Sequence, residues 1–513
     1  MTKKKEIFIL LLCIALGFAL RFYHYDKKSL WVDEIYTFND SSDDLGKQLE
    51  FYKENPSFLH PPLFFILTHQ FYPFNKPEKD LRVLPLIFGG LSIPLIYVVS
   101  SLFSPSIALP CTLTLTFMTY HISLSQDGRC YSLLMFLGMA SLFFFIKHLK
   151  TLKKIYLLPV GVLYAILFHT SYTSIPFILF SQVLWFYRPD PEGKKPNLSS
   201  FFFLSALTLL LCLPWILFVT LHYGGEPWMD PLHKESSGSL TRIVYGVFND
   251  WAPQFPLMVV SAILLFLFPF FSKPKEKALV LLATFLLPIG GLYLFCKVSN
   301  ITHFFTSRYF INFLPLFFIT IYLSLNALED KFERLKRFIR FVPFFLILFI
   351  ASNLIMLPLY YQSEKEDYRG LVTYLKGQLR EGDRIFVTSN RHLLGILHYF
   401  GVYPEGRHYL FPFRRDAEGR IEFNVPLIYK DKTFIIDHSN TCCSQYVFDK
   451  NRLWIVAGRG SFKEISKNPV FVLKGYFDGS FLNLTKFPED ASMYLLLLDP
   501  KSPGERAIDV PVE

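Results

Sequence analysis

Apolar residues in this chain come mostly in long unbroken runs separated by short polar breaks, not with the period of two or 3.6 that marks half-buried strands and helices. Runs over residues 6–23, 83–101, 105–121, 131–147, 155–170, 174–187, 199–222, 255–272, 278–296, 309–327 and 338–360 each approach the roughly 20 residues that cross a bilayer core. They predict about eleven transmembrane helices. The apolar piece at 63–74 is too short to span and ends in an Asn-Lys-Pro-Glu-Lys-Asp break, which predicts a helix lying at the membrane interface and started by Pro61-Pro62. After Tyr361 the pattern turns to mixed charge with alternating apolar positions. It predicts an amphipathic helix over 364–379, a strand over 384–388, a helix over 390–400, and buried strands around 433–436 and 453–456. The expected fold is a polytopic α-helical membrane domain over residues 1–361, with a long first loop at 24–81, followed by a soluble α/β domain over residues 362–513.

Composition agrees. Of the 513 residues 52% are hydrophobic, and 57 are Phe, which excludes an ordinary soluble enzyme. The net charge of +10 falls in short clusters between the runs, at Lys3-Lys4-Lys5, 147–154, Lys194-Lys195, 273–277 and 331–340. Clusters of this kind set topology rather than bind nucleic acid, which needs a basic face on a folded domain. Alternation then places every cluster and the N-terminus in the cytoplasm. The loops beginning near His24, Gln126, His169, Tyr223 and Lys297 lie on the other side with the C-terminal domain, which for a bacterial inner membrane is the periplasm. The first run leads into Arg21-Phe22-Tyr23-His24-Tyr25 without a small-residue cleavage pattern, so it reads as a span and not a signal peptide. The seven cysteines show no metal-type spacing; Cys442-Cys443 is either a vicinal disulfide or a pair of free thiols.

The stretch Leu30-Trp31-Val32-Asp33-Glu34-Ile35 sets two acids just beyond the first span, and ionisable groups so near lipid are costly unless they serve a site. Under this topology Asp33-Glu34 shares one side of the membrane with His60-Pro61-Pro62, with Gln126-Asp127-Gly128-Arg129-Cys130-Tyr131 and with Ser307-Arg308-Tyr309. Each alone has an ordinary account: an arginine can snorkel, a loop histidine can bond a carbonyl, and Arg82 can anchor the start of a span. Together they form an acid opposite a cationic set. That suits transfer of a sugar from a lipid-linked phosphate, where Arg and His stabilise the leaving phosphate and a carboxylate takes the acceptor proton. No Gly-rich nucleotide fingerprint is present. Asp33, Glu34 and His60 could hold a divalent metal through oxygen and nitrogen donors, though their spacing makes no recognisable ligand set. In the C-terminal domain Asp437-His438 follows an expected strand and reads as a capped strand end.

These residues carry a resemblance. The order is a first span followed by Trp-x-Asp-Glu, then His60-Pro61-Pro62-Leu63 before an amphipathic helix, Arg82-Val83-Leu84-Pro85 with Phe88-Gly89, Gly128-Arg129-Cys130-Tyr131-Ser132-Leu133, and Arg308-Tyr309 opening a late span. It resembles bacterial glycosyltransferase family 39, with the GT-C membrane fold and with protein O-mannosyltransferases and the lipid A aminoarabinose transferase among its relatives. The likeness covers residues 1–360 and reaches Glu366-Asp367-Tyr368-Arg369-Gly370 and Gly382-Asp383-Arg384. It implies an inverting transferase of a hexose or pentose from a polyprenyl-phosphate donor to a glycan, lipid or protein acceptor. It further implies Asp33 as the base, Glu34 as its helper, and His60, Arg82, Arg129, Tyr131, Arg308 and Tyr309 around the donor phosphate and substrate. Two other readings stand beside it. A transporter or flippase would show broken spans and mid-bilayer charges; a sensor or assembly scaffold would bind a partner without product.

Overall fold

The computed structural model describes residues 2–54, 60–187, 196–222, 240–298, 306–332, 340–402, 422–439, 452–467, 471–480 and 491–498; Cys442 and Cys443 lie outside them. The chain is mostly helical with a small C-terminal sheet domain. Among the described residues six helices are long and apolar enough to cross a membrane: Pro77–Phe103, Tyr131–Thr151, Leu198–His222, Lys275–Phe295, Ser307–Lys331 and Phe341–Gln362. The number reaches eight if each of two bent pairs is one span, against the eleven expected. The differences have local causes. The runs at 155–170 and 174–187 form shorter helices, Lys154–Thr170 and Tyr172–Phe186. Helix α1 (Lys3–Phe22) carries charge at both ends. The run at 105–121 breaks at Met118 into Pro105–Phe117 and Thr119–Ser125, bent by 61°.

That break survives inside apolar surroundings because its freed backbone groups find partners. Asn353 Oδ1 accepts from Thr119 N at 2.8 Å. The fully buried Arg21 of α1 donates to the carbonyl of Leu115 at 3.0 Å, and its Nη2 lies 2.7 Å from His121 Nδ1. Helix α1 and Val83–Phe103 approach closely enough that a Cβ on Gly90 would sit 2.2 Å from the Phe18 ring. Exposed Leu209, Leu210, Ile347 and Ile355 give the helices Leu198–His222 and Phe341–Gln362 outward apolar surface, as lipid contact requires.

The 63–74 piece is a shorter helix, Leu63–His69, whose Phe64 and Phe65 enter the main core. Beyond Gln362 come the helix Tyr368–Gln378, β1 (Arg384–Val387), the helix Asn390–Phe400, β2 (Glu422–Tyr429), β3 (Lys432–Ser439), β4 (Leu453–Ala457), the short helix Arg459–Ile465, β5 (Val472–Phe477) and β6 (Met493–Leu498). The six-stranded sheet runs β2-β3-β1-β4-β6-β5. Strands β3, β1 and β4 are parallel, and the outer pairs antiparallel. Successive residues of a strand face opposite sides: Ile385 and Val387 join one apolar cluster, Phe386 the other. The first of these clusters also contains Leu30, Trp31, Val32 and Ile35, so the core of the sheet domain continues into the loop that carries the two acids.

Candidate active site

Helix α2 (Val32–Asp40) opens with Trp31 as its N-cap, and Asp33 and Glu34 stand in its first turn, where the positive end of the helix dipole favours carboxylates. Neighbours on a helix point about 100° apart, and the two acids go separate ways. Glu34 is buried. Its Oε1 and Oε2 each lie 2.7 Å from Arg82, on Nε and Nη2. Gly128 N donates to Oε1 at 2.7 Å, an approach its lack of a side chain permits, since a Cβ there would lie 3.1 Å from both Glu34 Oε1 and Leu81. Arg82 spends its remaining donors on the carbonyls of Tyr25, Lys28 and Ser29. Glu34 and Arg82 thus tie the loop 25–29 to the start of α2.

Asp33 is 20% exposed, and its Oδ2 lies 3.2 Å from Arg308 Nη2. The Arg308 guanidinium sits over three aromatic rings, 5.0 Å from Trp31, 5.4 Å from Tyr131 and 5.7 Å from Tyr309, a cation–π cage. Its turn, Ser307–Phe313, is fixed by the Ser307 hydroxyl, which donates to Asp250 and bonds Tyr120. Arg129 Nη1 donates to the Asp33 carbonyl at 3.0 Å and to Thr37 Oγ1 at 3.1 Å. Burial is the largest influence on the Arg129 charge and opposes it, but Asp33, Tyr131 and Cys130 together hold the group above its ordinary value. The buried Arg129 Nε has no partner among the described residues.

His60 is open to solvent. Desolvation by nearby protein, with the repulsion of Arg129, keeps its imidazole below its ordinary value, and Asp33 acts the other way. At neutral pH it is therefore a neutral neighbour of the cationic pair. The structure thus brings Asp33, Arg129, Arg308, Tyr131 and Tyr309 together, with His60 close enough to feel Asp33 and Arg129, and turns Glu34 and Arg82 away into the scaffold. Asp33, Glu34 and His60 do not converge as a metal sphere: both oxygens of Glu34 are committed to Arg82, and no cluster of three metal-ligating side chains exists among the described residues.

Two further acids, given no role in the sequence reading, belong to the site. Asp127 accepts from Trp31 Nε1 at 2.9 Å and lies 2.9 Å from Lys365 Nζ, which stands 4.7 Å above the Trp31 ring. Burial works against the Asp127 carboxylate, but Lys365 and Trp31 hold it below its ordinary value. Asp40, at the far end of α2, is pushed up to about 7 by burial, with Arg129 pulling it down and Asp43 adding to the rise. A signal for Asp40 was available: Asp33, Thr37 and Asp40 stand at i, i+4 and i+7, on one helix face.

No family model matches the sequence, and no curated protein matches it. Among solved structures the chain is similar to ArnT from Cupriavidus metallidurans in the apo state, with a TM-score of 0.54 and 9% identity over 96% of this chain and 98% of that one. It is similar also to ArnT from the same organism bound to undecaprenyl phosphate, with a TM-score of 0.51 and 11% identity over 98% of this chain and 100% of that one. At these identities the likeness is one of fold: the chain has the GT-C membrane fold, and it is a multi-pass membrane protein.

Proposed function

We propose that this GT-C chain is a membrane glycosyltransferase that moves a hexose or pentose from a polyprenyl-phosphate donor to a hydroxyl of a glycan, lipid or protein. The observation that carries the reading is the partly open Asp33 carboxylate 3.2 Å from Arg308, with Arg129 beside it on the Asp33 main-chain carbonyl. In a single inverting displacement Asp33 takes the acceptor proton as the sugar's bond to phosphate breaks. Arg308 and Arg129 then stabilise the departing phosphate, which is already an anion and needs little protonation. Tyr131, Tyr309 and Trp31 hold Arg308 in place without neutralising it. Glu34 and Arg82 act through the backbone of the loop, not on substrate. Undecaprenyl phosphate in the solved ArnT structure supports a lipid-phosphate donor. The same reading sets the protein in a bacterial inner membrane, N-terminus in the cytoplasm, with the sheet domain over 362–513 in the periplasm.

The test is Asp33→Asn, which keeps shape and removes the base. Transfer from radiolabelled undecaprenyl-phosphate sugars should be lost while the variant inserts and elutes like wild type. Full activity would sink the assignment. One observation favours transport instead: Leu240–Trp251 and Phe255–Phe271 meet at 108°, a broken-span geometry found in transporters. Movement of undecaprenyl-phosphate sugar across proteoliposomes with no covalent product would decide for that alternative.

A further inference from the structure

The backbone amides that lead into α2 are taken by side chains from the far end of the chain. Glu364 Oε2 accepts from Ser29 N at 3.1 Å, the Tyr399 hydroxyl oxygen from Leu30 N at 2.7 Å, and Glu366 Oε2 from Val32 N at 2.8 Å. The Trp31 amide between them turns back to Glu34 at 3.4 Å. Val32 is the first residue of α2, so its N–H is one of the orphan donors of the helix, and it is adjacent to Asp33. Such a group on an ordinary surface loop is satisfied by water. Here the acceptor is a carboxylate with no exposed surface, at the positive pole of the helix.

The acceptors are themselves held. Arg391 Nε donates to Glu366 Oε1 at 2.6 Å, and the Tyr399 hydroxyl donates to Glu78 at 3.0 Å. Arg391 and Tyr399 both belong to the helix Asn390–Phe400, which packs in the same apolar cluster as Leu30, Trp31 and Val32. The start of α2 is therefore fixed from two directions: Arg82 grips the carbonyls of the preceding loop, and the C-terminal domain grips its amides.

We propose that Glu366 is a positioning residue for Asp33 and that, with Tyr399, it makes the C-terminal domain a working part of the transfer site. The inference rests on the reading of Asp33 as the base. Removing the clamp leaves the Asp33 side chain intact but frees the turn that aims it, and a misplacement of about 1 Å costs on the order of a hundredfold in rate.

The experiment uses the full-length protein in nanodiscs, with a panel of radiolabelled undecaprenyl-phosphate hexoses and pentoses as donors. Glu366→Ala should lower kcat about a hundredfold with donor KM within about threefold of wild type, the signature of a lost transition-state interaction. Glu366→Gln, whose amide oxygen still accepts from Val32 N, should recover most of that loss. Hydrogen exchange should rise in Glu366→Ala at residues 29–37 and at the start of the helix Asn390–Phe400, where Arg391 loses its partner, and not across the rest of the domain. If Glu366→Ala fails to fold, Tyr399→Phe, which removes one hydroxyl, carries the test; it should lower kcat at constant KM. Wild-type kcat in Glu366→Ala, or in Tyr399→Phe where the first variant does not fold, overturns the inference. So does a loss that tracks a lowered melting temperature with exchange raised across the whole domain, since that assigns Glu366 to folding alone. Asp33→Asn run in parallel separates the two levels: if it is inactive and Glu366→Ala is normal, only the clamp fails, whereas full activity in Asp33→Asn sinks the underlying reading.

Discussion

Replacing Glu34 with alanine separates the two adjacent acids by what each is for. Arg82 is 2% exposed and Glu34 1%, so the substitution leaves a buried guanidinium with no carboxylate against it. Breaking a buried pair from one side costs about 3–5 kcal/mol. The Gly128 amide, which donates to Glu34 Oε1 at 2.7 Å, loses its acceptor as well, and an orphaned buried amide costs about 1–3 kcal/mol. Against the ~5–15 kcal/mol that separates folded from unfolded states, Glu34→Ala should leave little margin. The assay is heating in detergent followed by size-exclusion chromatography, which reads the fraction that still elutes as a single species. Glu34→Ala should lose that peak well below the wild-type temperature, and Glu34→Gln, which keeps an oxygen for Gly128, should fall between. Asp33→Asn should hold its peak while losing transfer. A Glu34→Ala protein that melts like wild type but does not turn over would refute the reasoning, because Glu34 would then be acting on substrate.

Arg308→Lys keeps the charge but not the planar face that lies against Trp31, Tyr131 and Tyr309; donor KM should rise about tenfold, since a cation freed from its ring cage loses ~1–2 kcal/mol of placement, and unchanged KM would remove Arg308 from the phosphate site. Asp40, about 7 in the folded protein against an ordinary 3.8, holds its proton more tightly when folded, so its stabilising contribution is complete at low pH and is lost as pH rises through about 7. The effect is bounded at about 4 kcal/mol. Wild type should therefore lose melting temperature relative to Asp40→Asn between about pH 4 and pH 7 and level off above that, and a gap that does not change with pH would contradict the burial argument.

The gathering of Asp33, Arg129 and Arg308 was legible because each stands at the end of an apolar run, and alternation of runs carries such ends to one side of a membrane. The partition between Asp33 and Glu34 was not. Adjacent letters in a sequence do not reveal that a helix begins between Trp31 and Val32 and turns one acid inward. Runs of apolar residues also conceal breaks: nothing in 105–121 marks Met118, and the bend there depends on Asn353, far along the chain. Arg21, at the end of the first run, serves a carbonyl of that bend, which nothing in its own neighbourhood of the sequence reveals. The strands near 433–436 and 453–456 and the helix at 390–400 followed their pattern closely, since a small α/β layer is set by local alternation. Glu366 stood within the family resemblance as a motif, but no local rule says that a carboxylate there will seek the amide of Val32.

The bond between Val32 and Glu366 spans 334 residues of chain. A ribosome adding about 5–20 residues per second delivers the acid tens of seconds before the group that aims it exists. On the proposal that Glu366 aims Asp33, a chain ended before Glu366 carries Asp33 outside its working alignment, and competence for transfer waits until synthesis has passed the last span. The order of synthesis is in this way built into the proposed chemistry.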